Sequence, residues 1–114
     1  MILDRDDFLN RVEHDEELAR ELLGIFRTET VSNGETLRNA VETHNADAVR
    51  NSAHAFKGML ANLAAYPASM AAAALEDLAK DGNTDGFAAG WHAFDTELRK
   101  VVQEVEHLLA GALQ

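Results

Sequence analysis

His54 and Lys57 lie within one helical turn of each other and directly beside a bare glycine, Gly58, in the stretch SAHAFKGMLANLAAYP that runs from Ser52 to Pro67. A neutral imidazole is a good nucleophile near pH 7, because one ring nitrogen can attack while the other keeps its proton. An ammonium one turn away can stabilise the charge spread over the oxygens of a transferring phosphoryl group. Glycine in a helix interior costs about 1 kcal/mol relative to alanine, so Gly58 calls for a reason. Access supplies one, since Gly58 and Ala61 strip bulk from around the imidazole. These residue types at this spacing suit phosphoryl transfer to histidine, and no nucleotide site is needed on the same chain. Taken alone, HxxKG is more often an ordinary surface histidine beside a solvated lysine and a chance glycine, because short motifs match by accident.

The elements that must position these residues read as helices throughout. Apolar residues recur at three-to-four spacing, and Pro67 is the one proline, so the chain is expected to be all-α. Asp4 can cap a short first helix carrying Phe8, Leu9 and Val12. Asp15 opens a second helix to about Thr43, with Leu18, Leu22, Ile25 and Phe26 on its apolar face and a weak or bent stretch around Gly34. Asn45 caps a third helix, with Asp47 in its first turn, reaching about Ala65. Pro67 suits the first turn of a fourth helix that ends near Lys80. After the turn KDGNTDG, a last helix from about Asp85 to Leu109 carries Phe87, Trp91, Phe94, Leu98, Val101, Val105 and Leu108 on one stripe. Four long amphipathic helices with short loops predict an antiparallel up-and-down four-helix bundle with a short additional N-terminal helix, in a single domain over residues 1–114.

On the third helix, Val49, Ala53, Phe56, Leu60 and Leu63 fall within an arc about 80 degrees wide, at about 100 degrees per residue. His54 lies roughly 140 degrees from the centre of that arc. It is expected to be exposed in mid-helix, with Arg50 one turn before it and Lys57 and Gly58 one turn after.

Composition narrows the function classes. The formal net charge of -10 argues against a nucleic-acid partner, whose phosphates call for Lys and Arg. Residues 45–66, with Arg50 and Lys57 against Asp47, form the one locally positive window. The absence of cysteine removes disulfides, thiolate nucleophiles and cysteine-based zinc sites, and fits a reducing cytoplasm. No apolar run approaches the roughly 18 residues of a membrane span, and MILDRDDFLN is too acidic for a signal peptide.

In this bundle context the stretch AHAFKGMLANLAA resembles the signature of the histidine-containing phosphotransfer (HPt) domain. That signature reads alanine, histidine, a variable residue, leucine, lysine and glycine, then small residues and a leucine followed by Gly-Ala. Ala53, His54, Phe56, Lys57, Gly58, Ala61, Asn62, Leu63 and Ala65 stand at matching positions. Phe26 matches a phenylalanine of the preceding helix, and Leu75-Glu76 a Leu-Glu pair of the next. Met59 departs from the usual small polar residue, and Ala64 from the glycine that ends the signature. The resemblance implies a phosphorelay carrier in which His54 takes a phosphoryl group from a receiver-domain aspartate and passes it to another, with Lys57 stabilising phosphate charge and Gly58 giving access. Such a carrier has no ATP site or kinase domain of its own and no cofactor, since the magnesium belongs to the receiver. Its partners would be response-regulator receivers, with a hybrid sensor histidine kinase as a possible source, and a monomer is expected. Arg50, Ala61 and Asn62 flank the histidine as candidate partner contacts. Hairpin arithmetic across the turn at Ala65 and Tyr66 adds Glu76 and Lys80, and Lys80 is either a second positive charge or a solvated residue near a helix end.

Two further readings compete. Glu104 and His107 match a Glu-x-x-His half-site of di-iron bundles, but a metal centre needs a second half-site and further carboxylates, so no metal is expected. His14, His44 and His92 fall near helix ends or on a flank and receive no role. A helical interaction module would instead expose Phe87, Trp91 and Phe94, whose regular spacing favours a core. The feature that separates these readings is whether His54 is exposed and reactive.

Overall fold

The first three helices of the computed structural model, which describes residues 1–112, start on the side chains that the sequence offers for the purpose. The carboxylates of Asp4 and Asp15 and the amide of Asn45 accept from the backbone N–H groups of Asp7, Leu18 and Ala48. They open α1 (Arg5–Arg11), α2 (Glu16–Glu42) and α3 (Ala46–Asn62). Acidic side chains fill each first turn, where the helix dipole favours negative charge. α4 (Tyr66–Lys80) carries Pro67 in its first turn, and α5 (Phe87–His107) follows a 3-10 turn and leads into a π-helical segment, Leu108–Ala112. All five are α-helices, and no strand occurs among the described residues. α2 passes through Gly34 without interruption.

The helix ends share one device. After α2, α3 and α4, the residue two beyond the last helical one adopts a left-handed backbone: His44 (φ 55°), Ala64 (φ 58°) and Gly82 (φ 68°). At each end two backbone N–H groups turn back onto the last carbonyls, as in Ala65 N–H to Leu60 O (2.9 Å) and Ala64 N–H to Ala61 O (2.9 Å). This is the Schellman arrangement, which usually employs glycine. α3 therefore stops at Asn62, short of the expected Ala65, because the chain reverses at Ala64. The departure from the glycine signature leaves the geometry in place and puts an alanine in a conformation that costs roughly 1–2 kcal/mol for an L-residue. A backbone hydrogen bond from Asp4 N–H to Ala64 O (2.9 Å) ties the start of α1 to that reversal. Tyr66, at the start of α4, adds to the tie: its hydroxyl donates to Asp7 and accepts from Arg11.

Phe87, Phe94, Leu98, Val101 and Val105 are buried along α5 and Leu108 just beyond its end, while Trp91 is partly covered and packs on Phe94. Phe94 meets Phe56 of α3 edge to face at 5.0 Å, a favoured aromatic geometry. α3 packs against α2 and α4, and α5 against α2 and α4, around this core. Ala53 of α3 and Ala68 and Ala72 of α4 are fully buried, and such small side chains let the α3 and α4 backbones approach closely. The face of α2 differs from the expectation. Ala19, Leu23, Phe26 and Thr30 point inward, and Leu18 and Ile25 are exposed with Leu22 half-buried. The buried stripe is shifted by one residue: Ala19, Leu23, Phe26 and Thr30 alternate by four and three and stay on one face, whereas Leu18, Leu22 and Phe26 repeat every four and drift around the helix.

Candidate functional site

His54 sits near the middle of α3 on the side away from Ala53 and Phe56, and its side chain is 68% exposed. Gly58, one turn on, is also exposed, and a Cβ built there would meet nothing within 4 Å beyond its own helix backbone. The side of the ring toward Gly58 is therefore open. Close packing of α3 on α4 brings Glu76 under the other side. Its Oε2 lies 2.8 Å from His54 Nδ1, and its Oε1 accepts from Lys57 Nζ at 2.6 Å. Lys80 Nζ stands 3.6 Å from Oε2. Ser69 of α4 fixes the level of the two helices by donating its hydroxyl to Lys57 O at 2.8 Å.

Glu76 is buried, with a side chain only 4% exposed. An unpaired carboxylate there would be pushed toward its neutral form. The hydrogen bond from Lys57 instead holds its pKa below the ordinary value of 4.5, helped by the hydrogen bond from His54 and the charges of Lys57 and Lys80, and these outweigh desolvation. An ionised carboxylate can only accept, so Nδ1 of His54 must carry the proton. The neutral ring then presents Nε2 with a free lone pair. One buried acid thus selects the tautomer, orients the ring and leaves the outward nitrogen nucleophilic.

Of the expected partner residues, Arg50 and Asn62 are exposed and Ala61 is half-buried. Arg50 makes a long ion pair with Asp47 (3.9 Å). Glu76 does not stand on an open face: it is enclosed between α3 and α4 and faces the imidazole and two lysines, while Lys80 beside it remains exposed. The burial has a signal in the sequence, since Glu76 continues the spacing of Ala68, Ala72 and Ala79, all of which are buried. Ser69 is buried too and falls on the same stripe, three residues before Ala72 and seven before Glu76. Beside the histidine, Leu22, Ile25 and Phe26 of α2 and Ala55, Met59 and Leu63 of α3 line an open apolar groove rimmed by Glu29, Asn33 and Asn62. Met59 is partly buried against the core and forms part of its floor. This groove exists because of the shifted face of α2.

Of the Glu-x-x-His pair, only the carboxylate has a partner in another helix among the described residues. Glu104 pairs with Arg5 at 3.0 Å, His107 is exposed, and no group of three or more His, Asp or Glu that could hold a metal ion occurs among the described residues.

The family profile of the Hpt domain matches residues 21–110. The chain belongs to the Hpt domain family. Its members are phosphotransfer carriers of phosphorelays. The fold is also that of a solved relative: the crystal structure of histidine-containing phosphotransfer protein B (HptB) from Pseudomonas aeruginosa PAO1 superposes with a TM-score of 0.88. The two share 24% sequence identity, and the match covers 96% of this chain and 95% of that one. No curated protein matches the sequence. Within this Hpt domain, no helix among the described residues is long and apolar enough to cross a membrane.

Proposed function

We propose that His54 of this Hpt domain accepts a phosphoryl group from the aspartyl phosphate of one receiver domain and delivers it to the aspartate of another. The observation that carries the proposal is the pairing of His54 Nδ1 with a buried, ionised Glu76 while the rest of the ring is open. Nε2 attacks the phosphorus in line, the bond to the donor carboxyl oxygen breaks, and the electron pair leaves with the carboxylate. The ring gains positive charge, which Glu76 balances from behind. Lys57 is one turn away and can meet the phosphoryl oxygens. The receiver supplies the magnesium ion and acid pocket, and this chain supplies no ATP site and no cofactor.

The same reading takes residues 1–114 as one domain, a cytoplasmic monomer whose helices α2 to α5 alternate in direction as an antiparallel up-and-down bundle with α1 across one end. The short connections between successive helices that pack on each other support that order. The receiver would approach over Gly58, Ala61 and Asn62, with Arg50 on one side and the apolar groove between α2 and α3 on the other. A hybrid sensor histidine kinase is one source of such a receiver. The test is to mix the protein with a panel of phosphorylated receiver domains and follow acid-labile, base-stable phosphate. Label on His54 that disappears in His54→Gln supports the proposal; absence of transfer across the panel, or label that persists in the variant, overturns it.

A further inference from the structure

Glu76 faces more partners than one carboxylate needs at rest. Lys57 Nζ is 2.6 Å from Oε1, His54 Nδ1 is 2.8 Å from Oε2, and Lys80 Nζ is 3.6 Å from the same Oε2. The shortest of these contacts ties up Lys57, the ammonium that the chemistry at His54 would use. Lys80 is in reach but beyond hydrogen-bond distance, more than half exposed, and one turn along α4 from Glu76 itself.

Transfer changes the charges around this carboxylate. Nε2 carries no proton, so forming the N–P bond releases none. Nδ1 keeps its proton, the ring becomes cationic, and the donor carboxylate departs with the electrons of the broken P–O bond. A dianionic or monoanionic phosphoryl group then stands on the open side of the ring, where it attracts Lys57. We propose that Lys57 moves from Glu76 to the phosphoryl oxygens when His54 is phosphorylated, and that Lys80 closes onto Glu76 in its place. Lys80 is thus a positioning residue that frees Lys57. This rests on the phosphocarrier reading of His54.

Both lysines are suited to the exchange. Lys57 has a flexible four-carbon stem on α3, on the same helix as the phosphorylated ring and one turn from it. Lys80 is on α4 with Glu76, so it stays in range when Lys57 leaves. Without Lys80, release of Lys57 would leave a buried carboxylate with the imidazolium as its remaining partner, and Glu76 would hold Lys57 back.

The test uses the full chain and phosphoramidate, a small phosphoryl donor that needs no receiver. In wild-type protein, the side-chain 15Nζ resonances of Lys57 and Lys80 should both shift on phosphorylation of His54. Lys80→Gln should slow labelling about threefold, the size of an exposed ion-pair effect, and Lys80→Arg should restore most of the rate. In a Glu76→Gln background, Lys80→Gln should have no effect. A Lys80 resonance that does not move overturns the exchange. So does a Lys80→Gln effect that persists without the Glu76 charge, which would mark general attraction of the anionic reagent, and so does failure of phosphoramidate to label His54. If receivers fail to transfer while phosphoramidate still labels His54 with the expected lysine shifts, the relay reading falls and the exchange stands.

Discussion

The Nδ1 atom of His54 lies 2.8 Å from Oε2 of Glu76, so a ring that is 68% exposed is anchored on a side chain that is 4% exposed. Exposure alone would leave the imidazole free to rotate and to exchange tautomers. The buried carboxylate removes both freedoms and sets a fixed negative charge on the side of the ring opposite Nε2.

Replacing Glu76 with glutamine keeps the volume and removes the charge. The amide can present either its oxygen or its NH2 group to Nδ1, so it selects the tautomer less strictly and balances the cationic ring less well. Hydrogen bonds to charged groups are worth about 1.5–3 kcal/mol. Glu76→Gln is therefore expected to slow phosphoryl transfer to His54 by about tenfold or more. Single-turnover kinetics give the rate, and 15N NMR of the imidazole should show loss of the pure Nδ1–H tautomer. A rate within twofold of wild type would remove Glu76 from the mechanism.

The same carboxylate links stability to pH. Its native pKa lies below the ordinary 4.5, chiefly through the hydrogen bond from Lys57, so the unfolded state binds its proton at higher pH than the native state. The stabilisation is fully present above the ordinary glutamate value and is lost as pH falls through the depressed native value. Urea unfolding between pH 6 and the onset of acid unfolding, at about half-unit intervals, should show wild-type stability falling more steeply with acid than that of Glu76→Gln. Parallel curves would mean that Glu76 gains nothing from its partners on folding.

Much of the site was legible because it is local. The position of His54 opposite Val49, Ala53 and Phe56 follows from helical spacing alone, and the caps at Asp4, Asp15 and Asn45 act within three residues of themselves. Glu76 is different: it is 22 residues from His54, and its role depends on how closely α3 and α4 pack. Counting residues across the turn brings it level with the histidine but does not say whether it faces outward or inward. The face of α2 failed for a related reason. Leu22 and Leu23 are adjacent, each can start an apolar stripe, and the packed partners of α2 decide between them. Ala64 is a third case, where a φ of 58° is held by the surrounding turn and the Asp4 hydrogen bond despite the residue type.

That misplaced face yields a prediction of its own. Ile25 is 46% exposed at the edge of the groove beside Met59 and Asn62, where a docking receiver would cover it. Ile25→Glu should leave stability within about 0.5 kcal/mol of wild type, as surface changes usually do. It should slow transfer from a phosphorylated receiver by about tenfold, the effect of losing an apolar anchor at an interface centre, while labelling by phosphoramidate is unchanged. An equal loss with both donors would place the defect at His54 instead of at docking, and no loss with receivers would exclude the groove from the interface.

Gly58 separates access from stability most directly. The position is regular helix with open space where a Cβ would go, so Gly58→Ala should stabilise the protein by up to about 1 kcal/mol through helix propensity and a less flexible unfolded chain. Function should move the other way. A side chain one turn from His54 projects into the approach of the receiver phosphoaspartate, and a displacement of only ~1 Å from the in-line geometry can cost on the order of a hundredfold in rate. Transfer should fall modestly in Gly58→Ala and severely in Gly58→Gln, with thermal unfolding run on the same samples. Unchanged transfer in Gly58→Gln would refute the access role. Loss of stability in both variants would mean that the helix needs its bare backbone for packing, a result at odds with the empty space beside it.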